Sequence, residues 1–303
     1  MCNTAAFVID QVAPDVPFRQ WVLSLPFELR GLAAARSDVL TALGSMFVEG
    51  IFREQKRTAG LERAECAAVS FLHRAGGSLN LNPHWHVLVP DGLFTRDGFG
   101  GAAPSRGSAK NHTGSVRFVE TPPPGPEQLE RIIAGLRRRA ARWLTRRGYL
   151  DTREIEDRSN EPADPSALEA CAEIGLSRGS FARLDETGDP LSPDVAPPFE
   201  PRRGDRYAVE LDGFDIHAGV HVPAGDDVGR ERLARYGARP SFAFERLSEL
   251  DDGRFAYRTR YPIRGATHRV MTPLELLARL AAIIAPERAA QDDIGYDDAV
   301  VPG

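Results

Sequence analysis

The sequence NLNPHWHVLVPDG, Asn80 to Gly92, contains two histidines separated by one tryptophan, a spacing that suits metal binding. Because successive side chains on a β-strand point to opposite faces, we expect His84 and His86 to share one face and Trp85 to enter the core. Two imidazoles on one face can bind a divalent ion such as Mn²⁺, Co²⁺, Ni²⁺ or Zn²⁺. An isolated HxH pair is more often part of a half-exposed strand, so its surroundings must decide between these interpretations.

A third histidine and a tyrosine extend this chemistry. His73 ends the strand before the HxH pair, and from there it could reach the same face as a third metal ligand. Tyr236 lies in RERLARYGARP among Arg232, Arg235 and Arg239. A tyrosine hydroxyl becomes a useful nucleophile toward a phosphodiester when a metal polarises the phosphate and arginines hold its charge. The alternative is a helix-end tyrosine with a packed ring and a hydrated hydroxyl, and spacing alone leaves both open.

The elements that must position these residues are predicted from apolar periodicity and turn residues. The predicted strands are 18–26, 66–73, 84–89, 116–120, two within YAVELDGFDIHAGVHVP (207–223), and a hairpin of 255–261 and 267–271. The predicted helices are 28–57, 127–147, 227–236 and 273–284. Since turns join most of the strands, the pattern favours an α+β fold with a central antiparallel sheet and flanking helices over a doubly wound parallel sheet.

Composition narrows the class of protein. The 303 residues are 42% hydrophobic and 27% charged, as in ordinary globular proteins. Neither a signal peptide nor a transmembrane segment is visible, so we expect a cytoplasmic protein without a membrane partner. Three scattered cysteines form neither a disulfide framework nor a CxxC zinc site. The net charge of −5 argues against a protein that coats nucleic acid, although the distribution of charge matters more.

The helix predicted over 127–147 is rich in arginine, which gives it two interpretations. Its arginines could contact DNA phosphates, each contact making binding more sensitive to salt. They could equally form the solvated face of a helix whose other face is apolar. The sequence leaves both interpretations open.

Five blocks of sequence resemble one family of mobile-element proteins, and they occur in the family's order. They are RQWVLSLPFELR, FLHRAGGSLNLNPHWHVLVPDG, GFDIHAGVHVPAGD, RERLARYGARPSFAFERLSEL and GATHRVMTPLELLARLAAI. The HxH block is similar to the motif of HUH endonucleases, and its flanks are similar to rolling-circle transposases of the IS ninety-one type, including the related common-region elements. Outside an insert, the resemblance covers most of residues 18–286.

The resemblance implies a function and roles for the candidate residues. It implies an HUH-type single-strand endonuclease and transposase, in which His84 and His86 hold Mg²⁺ or Mn²⁺. Tyr236 would nick single-stranded DNA at the terminal repeats of the element, leaving a 5′-phosphotyrosine link and a free 3′-hydroxyl. His73 stands where the family commonly has glutamine and is the first choice for a third ligand. His217, in the block LDGFDIHAGV, is the second choice.

The resemblance also divides the chain into four parts. Residues 1–150 form the first part of an HUH-like catalytic domain, with the histidine motif. Residues 151–204 lose apolar periodicity and are rich in Pro, Asp and Gly near 189–203, which predicts a variable, poorly ordered insert with one helix near 165–174. Residues 205–286 complete the catalytic domain with the tyrosine, and 287–303 form a divergent tail.

Three differences from the family pattern lead to further expectations. The family's cysteine- and histidine-rich zinc-binding module does not precede MCNTAAFVIDQVAP, and the acidic QDDIGYDDAVVPG replaces the usual C-terminal segment. We therefore expect a copy truncated at both ends. Arg232 occupies the position of the second tyrosine of two-tyrosine members, which places the chain with the single-tyrosine subgroup.

Two alternative functions remain. A truncated copy could be an inactive remnant that only binds DNA. The HxH pair could instead belong to a metal-dependent hydrolase, but such enzymes usually need further ligands at later strand ends of a βα barrel. The predicted elements lack the required alternation of strands and helices.

Overall fold

The fold is described from a computed structural model of the chain. The described residues are 7, 14–96, 116–150, 167–177, 179–184, 190–191, 206–263 and 265–284. The predicted tail, 287–303, and most of the predicted insert, 151–204, lie outside these ranges.

The described part of the chain contains runs of antiparallel strands separated by one or two helices. In chain order they are β1 (Phe18–Ser24), α1 (Phe27–Ala35), α2 (Ser37–Ala59), β2 (Val69–Ala75), β3 (Leu81–Pro90), β4 (Gly92–Arg96), β5 (Val116–Glu120), α3 (Pro126–Arg146), α4 (Ala167–Leu176), β6 (Ser180–Leu184), β7 (Pro190–Leu191), β8 (Ala208–Leu211), β9 (Phe214–Val222), α5 (Asp227–Gly237), β10 (Leu247–Glu249), β11 (Phe255–Ile263), β12 (Ala266–Met271) and α6 (Pro273–Ile283).

The central sheet has the strand order β2-β3-β1-β9-β8, and every neighbouring pair is antiparallel. β1 lies in the middle, where Ser24 pairs with His84 of β3 on one side and with Asp215 of β9 on the other. This arrangement confirms the predicted α+β class with a central antiparallel sheet and flanking helices. Because its strands are antiparallel, the sheet does not match the βα barrel of the hydrolase alternative.

One face of the central sheet forms the main hydrophobic core. Trp21, Leu23 and Trp85 are buried there against the apolar faces of α2 and α3. Gly44 of α2 permits the close approach, since a Cβ at this position would lie 2.7 Å from Nε1 of Trp85. As strand alternation predicted, Trp85 enters the core while its histidine neighbours point to the opposite face.

The prediction of a single helix over 28–57 is wrong in one respect, because the helix is interrupted at Arg36. This residue has an extended backbone, with φ −124° and ψ 106°, and separates α1 from α2. Ala33 and Ala34 of α1 are buried, as are Val39 and Leu40 of α2. Apolar residues therefore continue across the break at a helical spacing, and periodicity could not reveal it.

A second sheet, which the sequence did not predict, has the order β10-β11-β12-β6-β7. Its β11–β12 hairpin was predicted, but its pairing with β6, from within the predicted insert, was not. The helix expected near 165–174 is α4, and it packs against α6. The buried Arg279 of α6 joins the two helices by donating to the backbone carbonyls of Gly175 and Ser177.

The other face of the central sheet is partly covered by α5. Leu233 packs with Phe18, Leu88 and Val222, and Ala234 lies against Phe71. The C-terminal end of α5 therefore lies over the β2–β3 side of the sheet. Among the helices of the described segments, none has the combination of length and apolar character that crossing a bilayer needs.

Candidate active site

Three histidines meet on the sheet face that α5 covers. In the β2–β3 ladder His73 is paired directly with His84, and Phe71 is paired with His86. Directly paired residues of an antiparallel ladder point to the same face, as do residues two apart on one strand. The ladder register therefore brings His73, predicted as the third ligand, beside the HxH pair.

The three imidazoles are close enough to share one ion. The ring centroid of His73 lies 5.3 Å from that of His84 and 4.6 Å from that of His86. The centroids of His84 and His86 are 5.0 Å apart. One ring nitrogen from each residue lies within 4.8 Å of the others. In the described part of the chain this is the one group of three potential metal ligands.

Hydrogen bonds determine which nitrogen each histidine can offer. A backbone carbonyl only accepts, so Nδ1 of His84 donates to the Asn82 carbonyl at 2.7 Å, and Nε2 of His73 donates to the Gly237 carbonyl at 2.7 Å. In the neutral rings, Nε2 of His84 and Nδ1 of His73 are then left with free lone pairs. Each of these two histidines is held in one tautomer by its carbonyl partner.

His86 is positioned by a buried amide. Its Nδ1 lies against the side-chain amide of Gln20, and its Nε2 is buried without a hydrogen-bond partner among the described residues. The amide oxygen and nitrogen can exchange places without moving the heavy-atom positions. When the amide oxygen of Gln20 accepts a hydrogen bond from Nδ1 of His86, the lone pair of Nε2 is available to bind an ion.

Burial keeps these imidazoles neutral. Burial lowers the pKa of His84 to about 4, with a smaller contribution from the nearby His73. Burial followed by the charge of His84 lowers the pKa of His86 to about 3. The pKa of His73 is also lowered, mainly by burial. Neutral imidazole is the form that binds a metal, so the ligands need lose no proton near pH 7.

The three nitrogens fit a divalent metal. Buried polar atoms are rarely left unpaired, and Nε2 of His86 has no hydrogen-bond partner among the described residues. An ion bound at this nitrogen would supply the missing partner. Three imidazoles suit Mn²⁺, Co²⁺, Ni²⁺ or Zn²⁺ better than the hard Mg²⁺ ion, which prefers oxygen ligands. The chemistry of the ligands therefore favours Mn²⁺ over Mg²⁺ within the predicted pair of cofactors.

Tyr236 lies beside this cluster at the end of α5. Its ring centroid is 5.1 Å from that of His86 and 6.4 Å from that of His73. The side chain is half-buried, and its hydroxyl accepts a hydrogen bond from Nη1 of Arg260 at 3.3 Å. This hydrogen bond places a guanidinium directly beside the hydroxyl oxygen. The fold thus brings the predicted nucleophile next to the predicted metal ligands.

The three arginines predicted to contact phosphates are in different environments. The guanidinium carbon of Arg239 lies 4.0 Å from the ring centroid of Tyr236, so this arginine is part of the site. Arg235 is exposed and forms an ion pair with Glu231 one turn earlier in α5. Arg232 is also exposed on this helix. The geometry therefore supports a local role for Arg239 more directly than for the other two.

Sequence reasoning missed Gln20 and Arg260. Gln20 is a buried polar residue on β1, whose apolar neighbours make it look like a core strand. Arg260 lies on β11 of the second sheet, 24 residues after the tyrosine whose hydroxyl it contacts. A glutamine within an apolar strand was a usable signal for a buried polar contact. The approach of Arg260 depends on how the sheets pack, and no local pattern carries that information.

His217, the second choice for the third ligand, is not in the cluster. Val22 of β1 is paired with His86 on one side and with His217 on the other. His217 therefore lies two strands, or about 10 Å, from His86 on the same face. The structure favours His73 for this position.

The arginine-rich helix α3 contains six arginines, and three of them form ion pairs with carboxylates of neighbouring elements. Arg131 contacts Glu54, Arg137 contacts Asp212 and Arg139 contacts Glu49. Arg138 and Arg142 are exposed on the solvent side of the helix. These ion pairs favour the interpretation that α3 is a solvated helix packed through its apolar face.

Comparison with protein families identifies a match to a transposase family. The model of a transposase family, Y2_Tnp, with the description "Putative transposase", matches residues 67–291, well over half of the chain. The matched region contains all three histidines and Tyr236. Comparisons with curated proteins and with solved structures gave no match.

Proposed function

The chain belongs to the transposase family Y2_Tnp, and from this premise we propose that it cuts and rejoins single-stranded DNA through Tyr236. The observation that carries the proposal is the position of this tyrosine, with its ring 5.1 Å from that of His86 in a cluster of three histidines. The proposed substrate is the terminal repeat of the mobile element that encodes the protein. The proposed pathway is the rolling-circle transposition of HUH endonucleases.

The histidines would hold a divalent ion beside the scissile phosphate. His73, His84 and His86 would each contribute one nitrogen, and their hydrogen bonds keep the rings fixed. A bound ion would polarise the phosphate and reduce the charge that opposes nucleophilic attack. Because the rings are already oriented, little ordering is needed when substrate arrives.

The proposed step exchanges one phosphodiester bond for another. The hydroxyl oxygen of Tyr236 bonds to phosphorus, and the bond from phosphorus to the 3′-oxygen breaks. The phenolic proton is lost and the departing oxygen gains one, giving a free 3′-hydroxyl and a 5′-phosphotyrosine. Attack by a 3′-hydroxyl on this link reverses the step and releases the tyrosine, so the bond is conserved for rejoining.

Arg260 and Arg239 would assist through charge. Arg260 donates to the hydroxyl of Tyr236, which favours the negative charge that develops on this oxygen as its proton leaves. Arg239 lies over the ring of the same tyrosine, where its guanidinium can also contact a phosphate. The two arginines and the histidines thus surround the hydroxyl with positive or neutral groups.

The proposal is tested by trapping the covalent intermediate. Purified protein is mixed with Mn²⁺ and single-stranded terminal-repeat DNA labelled at either end, and the products are separated on a denaturing gel. We expect 3′-labelled DNA to migrate with the protein and 5′-labelled DNA to be released with a free 3′-hydroxyl. Tyr236→Phe should abolish the adduct, since it removes only the nucleophilic oxygen.

Tyr261→Phe is the matched control, because Tyr261 is an exposed tyrosine next to Arg260 in the sequence. This variant should form the adduct normally. An adduct that persists in Tyr236→Phe would assign the nucleophile to another residue. No adduct from the wild type on any terminal-repeat strand would support the alternative that the chain is an inactive remnant.

A further inference from the structure

A basic groove opens beside the histidine cluster. It has a volume of about 740 Å³ and lies between the segment after α5 and the strand β11. Its lining includes His73, Arg239, Phe244, Arg258 and Arg260, and two of these arginines also contact Tyr236. The groove is therefore continuous with the candidate active site.

We propose that this groove binds the part of a single DNA strand that flanks the cleaved phosphate, with one base stacked on Phe244. The proposal rests on the proposed function of the same site and specifies where its substrate lies. Arg239, Arg258 and Arg260 would contact successive phosphates, and Phe244 would contact a base.

The charge of the groove suits a polyanion. Four arginines line it, and Glu245 is its one carboxylate. Arg246 donates to the backbone carbonyls of Gly77 and Arg258, which fixes its guanidinium in the wall. Arg258 and Arg260 are exposed and so can reach a ligand. The planar guanidinium group presents paired N–H donors, which match the geometry of phosphate oxygens.

Phe244 is an unusually exposed aromatic residue on a rigid support. Its side chain is 80% exposed, and its ring meets that of Phe242 edge-on at a centroid distance of 4.8 Å. Phe242 in turn stacks on Tyr257, which is 1% exposed, at 5.5 Å. The three rings form a connected series from the core to the surface. An exposed ring in a basic groove is the arrangement on which unpaired bases stack.

An exposed ring favours a single strand over a duplex. In duplex DNA both faces of each base are already stacked on neighbours, so no base is free to lie on Phe244. In a single strand a base can turn toward the ring while its phosphates remain in contact with the arginines.

The experiment measures binding without catalysis. The protein carries Tyr236→Phe and is assayed without metal, so cleavage cannot alter the probe. The probes are a short fluorescein-labelled poly(dA) strand and a strand of the same length with abasic sites, read by fluorescence anisotropy. We expect poly(dA) to bind more tightly, and we expect Phe244→Ala to weaken its binding about tenfold. The same variant should leave the abasic strand unaffected, since that strand has no base to stack.

Arginine variants test the phosphate contacts. Arg258→Gln should reduce the slope of the logarithm of affinity against the logarithm of salt concentration by about 0.7, the loss of one phosphate contact. Arg254→Gln is the matched control, because Arg254 precedes the same strand, lies outside the groove and is paired with Asp252. It should leave the slope unchanged. Phe27→Ala, at an exposed phenylalanine outside the groove lining, controls for the loss of an aromatic ring.

Several results would overturn the inference. Equal poly(dA) affinity in the Phe244→Ala and parent proteins would remove the stacking role. Failure of the parent protein to bind the strand, or tighter binding of a poly(rA) strand or of a duplex, would exclude single-stranded DNA as the occupant. The adduct assay tests the proposed function separately, since it requires Tyr236 and metal, which are absent from this measurement.

Discussion

Gln20→Leu should weaken metal binding although Gln20 is not itself a metal ligand. Gln20 and His86 are each 5% exposed, and the amide of Gln20 is the partner of Nδ1 of His86. Leucine has a similar size but offers no polar atom. The substitution therefore leaves Nδ1 of His86 buried without a partner and frees the ring to rotate or change tautomer.

The expected magnitude follows from the loss of this support. Removing a group that orients a metal-binding histidine typically lowers metal affinity by about 10- to 100-fold. Leaving a buried ring nitrogen unsatisfied also costs about 1–3 kcal/mol of folding stability, since Nδ1 of His86 cannot reach water. The change of tautomer should lower Mn²⁺ affinity alone, whereas the lost hydrogen bond should lower both Mn²⁺ affinity and folding stability.

Isothermal titration calorimetry with Mn²⁺ measures the first effect, and urea unfolding of the metal-free protein measures the second. Gln55→Leu is the matched control, because Gln55 donates to the carbonyl of Pro90 outside the histidine cluster. This control should lose stability without losing Mn²⁺ affinity. Wild-type Mn²⁺ affinity in Gln20→Leu would refute the reasoning that the amide orients His86 for a metal.

Further predictions follow from the packing and the ligands. Replacing His84 and His86 together with Ala should abolish Mn²⁺ binding in calorimetry while leaving the circular dichroism spectrum largely unchanged. Gly44→Ala should destabilise the protein by about 1–3 kcal/mol in urea unfolding, because the added methyl overlaps the indole on β3. Gly135→Ala, where a Cβ meets nothing within 4 Å, should instead stabilise it by up to about 1 kcal/mol. Arg279→Ala should lower the free energy of unfolding by about 3 kcal/mol, because it removes a fully buried guanidinium and leaves its carboxylate and carbonyl partners unpaired. Wild-type unfolding midpoints in the two glycine variants and in Arg279→Ala would contradict the packing described.

The sequence predicted the part of the site that depends on local periodicity. On a strand, residues two apart share a face whatever the rest of the fold does, so the common face of His84 and His86 was predictable. The Gly76-Gly77 pair after His73 is typical of a hairpin turn, so the pairing of its strand with the next one was predictable as well. The helix carrying Tyr236 was recognisable from its pattern, but its position over the histidines was not.

The parts that could not be predicted depend on long-range pairing. The strand β6 (180–184) pairs with residues 268–270 of β12, and no sequence pattern in either segment indicates this pairing. The break at Arg36 interrupts a helix without interrupting its apolar spacing. Arg260 reaches Tyr236 only because the second sheet lies beside α5. In each case local pattern gave the element, and tertiary packing determined its place.

Gly237 links the candidate nucleophile to the candidate metal ligands. Its carbonyl accepts a hydrogen bond from His73, and a Cβ at this position would lie 2.5 Å from the ring of Phe71. The absence of a side chain therefore lets α5 approach β2 closely, which places the adjacent Tyr236 near the histidines. The same carbonyl holds His73 in the tautomer that leaves the lone pair of its Nδ1 free for an ion. One glycine therefore sets both the position of Tyr236 and the orientation of His73.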